Sequence, residues 1–212
     1  MNVFVIIYNA TLFIILGLSL LLVARYGSKK QNFLWLYLLV TFGFECSAVI
    51  NWLQFPAVNT DWIYKSYALF CIVFFGIYYS RIFPKTYRNI VVILTLTALI
   101  AFASIADYTV QAFEPGIGVL ISVFYILLPL LWYVYALHHN LNQKITENPH
   151  FWISSALLFW GSFYVFSIYP AKYLYEKDLS FYTVIININY MVAVVMYVLM
   201  AIGLLKFKRQ KT

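Results

Sequence analysis

Apolar residues run along this chain in long, nearly unbroken stretches, and short polar interruptions divide them. The runs cover Val3 to Ala24, Phe33 to Phe55, Trp62 to Phe83, Ile90 to Ala106, Gly116 to Leu137, Phe151 to Tyr169 and Phe181 to Leu205. A helix of about 20 apolar residues, rising about 1.5 Å per residue, crosses a hydrocarbon core about 30 Å thick. The pattern therefore predicts an all-α membrane protein, a single domain over residues 1–212 built as a bundle of seven transmembrane helices. The first run has no basic segment before it and no convincing small-residue cleavage site, and Arg25 follows it, so it is expected to remain as a span rather than be removed as a signal peptide.

Composition sharpens this reading. The 212 residues are 64% hydrophobic and only 10% charged, against about 45 to 50% apolar and about 25% charged in soluble domains. That balance excludes a soluble globular protein. Cys46 and Cys71 both lie inside apolar runs, so they suggest neither a disulfide framework nor a zinc site.

Charge supplies an orientation. Arg25, Lys29 and Lys30 follow the first run, Arg81, Lys85 and Arg88 the third, Lys144 the fifth, and Lys206, Lys208, Arg209 and Lys211 the seventh. Of the basic residues, Lys65, Lys172 and Lys177 fall on the other face, together with Asp61, Asp107, Glu114, Glu176 and Asp178. Short loops rich in Lys and Arg stay in the cytoplasm, so the N-terminus is expected outside and the C-terminus inside, which needs an odd number of spans. Topology also accounts for the net charge of +7, and no nucleic-acid partner is expected. The basic tail reads as an anchor to anionic lipid, with docking of a cytoplasmic partner as the other reading. Trp52, Trp62 and Tyr64 on the outer side, and Tyr78, Tyr79, Trp132, Tyr133 and Tyr135 toward the inner side, read as an aromatic belt at the membrane interfaces. Asn32–Trp35 and Pro149–Trp152 open the second and sixth runs alike. This hints at parallel triplets around a linking fourth helix, as in small sugar-type carriers, although interface preference alone also produces such aromatic helix starts.

The candidate chemistry lies in polar groups within the spans. Glu45 is the carboxylate well inside one, and an ionised acid at the bilayer centre costs about 2.5 to 3.5 kcal/mol on insertion scales, so it is expected to face the bundle interior or a wet cavity. Two readings stand: a ligand or proton-relay group, or a carboxyl that holds helices together. Asn9, Asn187 and Asn189 sit at similar depth, with Asn51 and Lys65 shallower, so that with Glu45 they gather in the outer half as candidate ligand-binding residues. Lys65 is expected to snorkel to the outer surface and pair with Asp61 one turn away. Pro129 interrupts the fifth run as a candidate hinge or a fixed kink. His138, His139 and His150 end one run and open the next, where helix-end hydrogen bonding is favoured over a metal site. No metal or cofactor is expected.

Most enzyme classes find no support. Intramembrane hydrolysis needs paired acids or a His and acid cluster at one depth, and Ser154, Ser155 and Ser162 have no evident base. There is no phosphate, dinucleotide or G-x-S-x-G motif, and no lysine between Lys177 and Lys206 to carry retinal.

Two segments carry a resemblance: DWIYKSYALFCIVFFGIYYSRIFPK from Asp61 to Lys85 and NPHFWISSALLFWGSFYVFSIY from Asn148 to Tyr169. They look like corresponding segments of a family of small, largely uncharacterised bacterial seven-span inner-membrane proteins, which resemble the membrane sensor portions of some histidine kinase systems. The resemblance implies a multi-pass protein of the bacterial cytoplasmic membrane that works with a separate signalling partner, and it assigns no functional residue. The leading expectation is a sensor or receptor-like protein that binds a small or lipid-like ligand in the outer half of its bundle. A small transporter or channel with Glu45 as coupling group, and a structural subunit of a membrane complex, are the alternatives.

Overall fold

In lipid a backbone finds no water to bond with, so each apolar run must satisfy its own amides as a helix. The computed structural model describes residues 3–27, 31–54, 61–106, 115–139 and 144–207. These are 94% helical and hold no strand. The helices are α1 (Val3–Tyr26), α2 (Leu34–Gln54), α3 (Asp61–Ile82), α4 (Lys85–Ile105), α5 (Pro115–His138), α6 (Pro149–Lys177) and α7 (Leu179–Phe207). All but α2 are long and apolar enough to cross a membrane, and in α2 the shorter segment Leu34–Ile50 is apolar. Length and composition thus define a multi-pass membrane protein.

Two boundaries depart from the hydropathy pattern. Helix α4 begins at Lys85, not Ile90, because Pro84 supplies an extended start (φ −65°, ψ 166°) and the polar turn Lys85–Asn89 then continues as helix. The expected polar loop from residue 170 to 180 is also absent. Pro170 is accommodated inside α6, and Asp178 alone separates α6 from α7, accepting at Oδ1 from the Phe181 N–H at 3.0 Å as a helix N-cap does. Elsewhere the ends follow local chemistry. Gly27, at φ +84°, closes α1 in the left-handed region that glycine tolerates, and the Asn148 side chain accepts from His150 N at 2.9 Å to cap α6.

Consecutive helices pack as neighbours around a ring that α7 closes against α1, with α3 also touching α5. Helix α6 lies along both α5 and α7, whereas α2 meets α1 and α3 much more sparsely, so the triplets suggested by the sequence are not packed alike. The directions alternate. Near the α1–α2 connection, Arg81 at the end of α3 stacks 4.8 Å over Phe33, Tyr87 of α4 meets Tyr135 of α5 at 5.2 Å, and His150 of α6 meets Phe207 of α7 at 5.4 Å. This is the C-terminal end of the bundle; the opposite, N-terminal end carries the start of α1 and the α6–α7 turn. At the C-terminal end Gln31 is buried, accepting from Ser19 Oγ at 2.8 Å and donating to the Ser19 carbonyl at 3.2 Å.

The interior is aromatic. Tyr37, Tyr78, Tyr79 and Tyr197 are among its largest fully buried side chains, and Trp132 is buried as well. Tyr78, Tyr79 and Trp132 therefore do not form the expected interfacial belt. Their rings pack inside, and the two phenols find protein partners there, Tyr78 with His150 Nδ1 and Tyr79 with Ser154 Oγ, both at 2.8 Å. Close approach of α5 and α6 depends on a missing side chain. A Cβ on Gly161 would stand 2.9 Å from the Ser122 carbonyl oxygen, whereas one on Gly43 would meet nothing within 4 Å. Gly161→Ala should therefore lower stability by about 1 to 3 kcal/mol, as overpacking against backbone does, while Gly43→Ala leaves it unchanged or slightly raised. Unfolding by SDS in mixed micelles measures both, and equal effects would refute the packing argument.

Candidate functional site

Helical phase decides what α2 presents to the bundle. Leu34, Leu38 and Thr41 form a fully buried stripe, and spacing of three or four residues extends it to Glu45. Gly43, Ser47 and Ile50 are exposed on other faces. Glu45 thus points inward, but it is only half-buried. The same change occurs along α7, where Leu204, Met200, Tyr197 and Ala193 are buried and Tyr190, one turn further, is half-buried. On α2 and α7 burial therefore falls off toward the N-terminal end, while Tyr8 of α1, which faces both, stays buried. Glu45 lies about 16 Å along α2 from Leu34, and Tyr197 about 15 Å along α7 from Phe207, near mid-membrane for helices of this size.

At that level Tyr8 of α1 donates to Glu45 Oε1 at 2.8 Å. Its hydroxyl also meets that of Tyr197 at 3.4 Å. A phenol has one proton, so with Tyr8 engaged by the carboxylate, Tyr197 donates to Tyr8 and the relay runs Tyr197 to Tyr8 to Glu45. The Tyr8 ring packs 5.4 Å from that of Tyr190 and 5.7 Å from that of Tyr197. Three helices thus converge on one acid. Among the described residues Tyr8 is its hydrogen-bond donor, and no Lys or Arg forms an ion pair with it.

A second network lies nearer the C-terminal end. Thr41 Oγ1 donates to the Tyr37 carbonyl at 2.8 Å, which leaves it to accept from Tyr67 at 3.1 Å, and Tyr67 in turn accepts from Tyr37 at 3.4 Å. That relay ends on backbone and ties α2 to α3. Two serines of α6 are similarly engaged, Ser154 with Tyr79 and Ser155 with Tyr133 at 2.7 Å.

The residues singled out by sequence separate into groups. Glu45 is at the junction. Asn187 and Asn189 are half-buried within one turn of Tyr190, and Asn187 shares its face. Asn9 donates its amide to the Val5 carbonyl of its own helix at 2.9 Å. Asn51 belongs to α2, but its side chain lies outside the described residues, as does that of Asp61. Lys65 contradicts expectation. It is 4% exposed rather than extended to the surface, because it shares an inward face with Ala68 and Ile72; its expected pairing with Asp61 lies outside the described residues. Pro129 is buried within a continuous α5. His138 and His139 turn Nδ1 to the carbonyls of Val134 and Tyr135 at 2.8 and 3.1 Å, while His150 faces Tyr78, so the three rings do not converge. Lys206 of the expected lipid anchor pairs instead with Glu147 at 2.9 Å, and Lys208, Arg209 and Lys211 lie outside the described residues. Sequence reasoning missed Tyr8, Tyr190 and Tyr197. Their signal was present: a tyrosine at mid-span depth has a hydroxyl that needs a partner, and Tyr190 and Tyr197 are seven apart, two turns on one face.

The chain matches no family model, no curated protein and no solved structure, so its own geometry carries the functional reading.

A double-mutant cycle tests the junction. Tyr8→Phe and Glu45→Ala should couple by about 0.6 to 1.7 kcal/mol, the span found for side-chain hydrogen bonds inside membrane bundles. SDS unfolding of the two single variants and the double variant gives the value, and strict additivity would show that the bond is absent.

Proposed function

We propose that this chain is a receptor-like protein of a bacterial cytoplasmic membrane, crossing it seven times with the N-terminus outside, and that a small or lipid-like molecule binds at Glu45 in the outer half of the bundle. The observation that carries the reading is a half-buried carboxylate on the inward stripe of α2, joined through Tyr8 to α1 and α7. A group that served only to hold helices together would be expected to end its relay on backbone, as the Tyr37–Tyr67–Thr41 network does. Glu45 ends its relay on an acid with accessible surface.

The mechanism follows from differential affinity, since a ligand shifts an equilibrium only as far as it prefers one state. A molecule that engages Glu45 competes with the Tyr8 hydroxyl and biases how α1 and α7 sit against α2. Asn187 and Asn189 lie within one turn of Tyr190 on α7. At the other end α7 touches α6 through His150–Phe207 and Glu147–Lys206, and α6 touches α3 through His150–Tyr78. A displacement of α7 is thereby passed to the cytoplasmic surface, where a signalling partner would read it. Pro129 lacks an amide to complete the α5 ladder, and we assign it the hinge.

Two measurements test this. An alkaline phosphatase reporter fused at the N-terminus should be active and a green fluorescent reporter at the C-terminus should fluoresce; the reverse pattern would overturn the orientation. Protein purified in mild detergent from native membranes should carry a molecule, detectable by mass spectrometry, that is lost in Glu45→Gln while the variant stays folded. Glu45-dependent, pH-sensitive uptake into liposomes would replace the receptor by a carrier.

A further inference from the structure

The reading above leaves the ligand's chemistry open, and the surroundings of Glu45 narrow it. The carboxylate receives one hydrogen bond, from Tyr8 to Oε1, and has no cationic partner among the described residues. Its surroundings are aromatic: Tyr8, whose hydroxyl reaches the carboxylate, packs its ring against Tyr190 and Tyr197 with centroids 5.4 and 5.7 Å away, and Glu45 lies within electrostatic range of both. Aromatic faces carry negative potential and attract cations that have been stripped of water. An acid without a counter-ion in an apolar medium is costly until an opposite charge arrives. These features repel anions, offer little to a neutral polar molecule and suit a positive charge with an apolar surface.

Resting on the receptor reading, we propose that the ligand is a small organic cation whose ammonium group sits between the Glu45 carboxylate and the rings of Tyr8 and Tyr190. Glu45 continues the inward stripe of α2 and does not lie on the face that carries Gly43, Ser47 and Ile50. An aqueous ammonium ion and a lipid head group carry the same chemistry, and the test below separates them. Binding draws the carboxylate from Tyr8, leaving the Tyr8 hydroxyl to face Tyr197 alone.

The test uses the full chain in nanodiscs of phosphatidylglycerol, titrated by calorimetry with choline, tetramethylammonium and the uncharged choline isostere 3,3-dimethylbutan-1-ol. Both cations should bind saturably and the isostere should not. Glu45→Gln should weaken binding at least tenfold. Tyr190→Phe keeps the ring face and should bind unchanged, while Tyr190→Ala should lose about fivefold, the effect of one partly exposed cation–π contact. Tyr8→Phe removes the phenol that competes for Oε1 and should bind as tightly or more tightly, a direction that loss of folding would not produce. Competition when phosphatidylethanolamine is added to the nanodiscs would identify a head group as the source of the ammonium. Equal binding of the isostere, or choline binding that survives Glu45→Gln, would overturn the proposal. If no cation binds but a native ligand still depends on Glu45, the ammonium assignment falls and the receptor reading stands; if no bound molecule depends on Glu45, both fall.

Discussion

Much of the fold depends on one requirement: a hydroxyl placed inside a membrane bundle must find its partner within the protein. Tyrosine meets the packing need with a large ring and then imposes this condition at the ring's far end. The bundle fills its interior with such rings, and the hydroxyls select which helices can lie together. Tyr79 needs Ser154, so α3 meets α6 in one register; Tyr133 needs Ser155, so α5 meets α6 in another. Ring packing between apolar helices leaves their rotation loosely specified, since lipid tails are as apolar as leucine. The hydrogen bonds remove that freedom, and small residues such as Gly161 let the backbones approach closely enough to form them.

Against that background Glu45 is an exception with a consequence. The relays through Tyr37, Tyr79 and Tyr133 terminate inside the protein on carbonyls or hydroxyls, and their directions are fixed once each proton is placed. The relay through Tyr197 and Tyr8 terminates on an ionisable, half-buried group. Ionisable groups at membrane depth and departures from a fold's general rule both concentrate at functional positions.

The sequence was most legible where a property is one-dimensional. Runs of apolar residues located each of the seven described helices, missing the start of α4 by five residues and the end of α6 by eight, and the inward placement expected for Glu45 followed from the cost of its charge. Helix ends decided by single residues were harder: nothing in hydropathy says that Asp178 would replace a loop, or that Pro170 would sit inside α6. Properties that depend on rotation about a helix axis were least legible. Tyr78, Tyr79 and Lys65 each occupy a depth suited to an interface, and depth suggested belts and snorkelling, but phase turned all three inward. Neither Tyr8 nor Tyr197 could be paired from sequence, since the bond between them joins residues 189 positions apart.

The turn between α6 and α7 has a mechanical meaning. Each helix has 29 residues, so each is about 43 Å long, and one amino acid links them. Two rods joined so tightly cannot slide past one another or rotate independently at that end. They can part only as tongs do, about a pivot at Asp178, with the widest excursion at the opposite tips. Those tips are clasped by Lys206 and Glu147, a partly exposed ion pair of the kind that contributes at most about 1 kcal/mol. The geometry thus places the greatest leverage where the clasp is weakest.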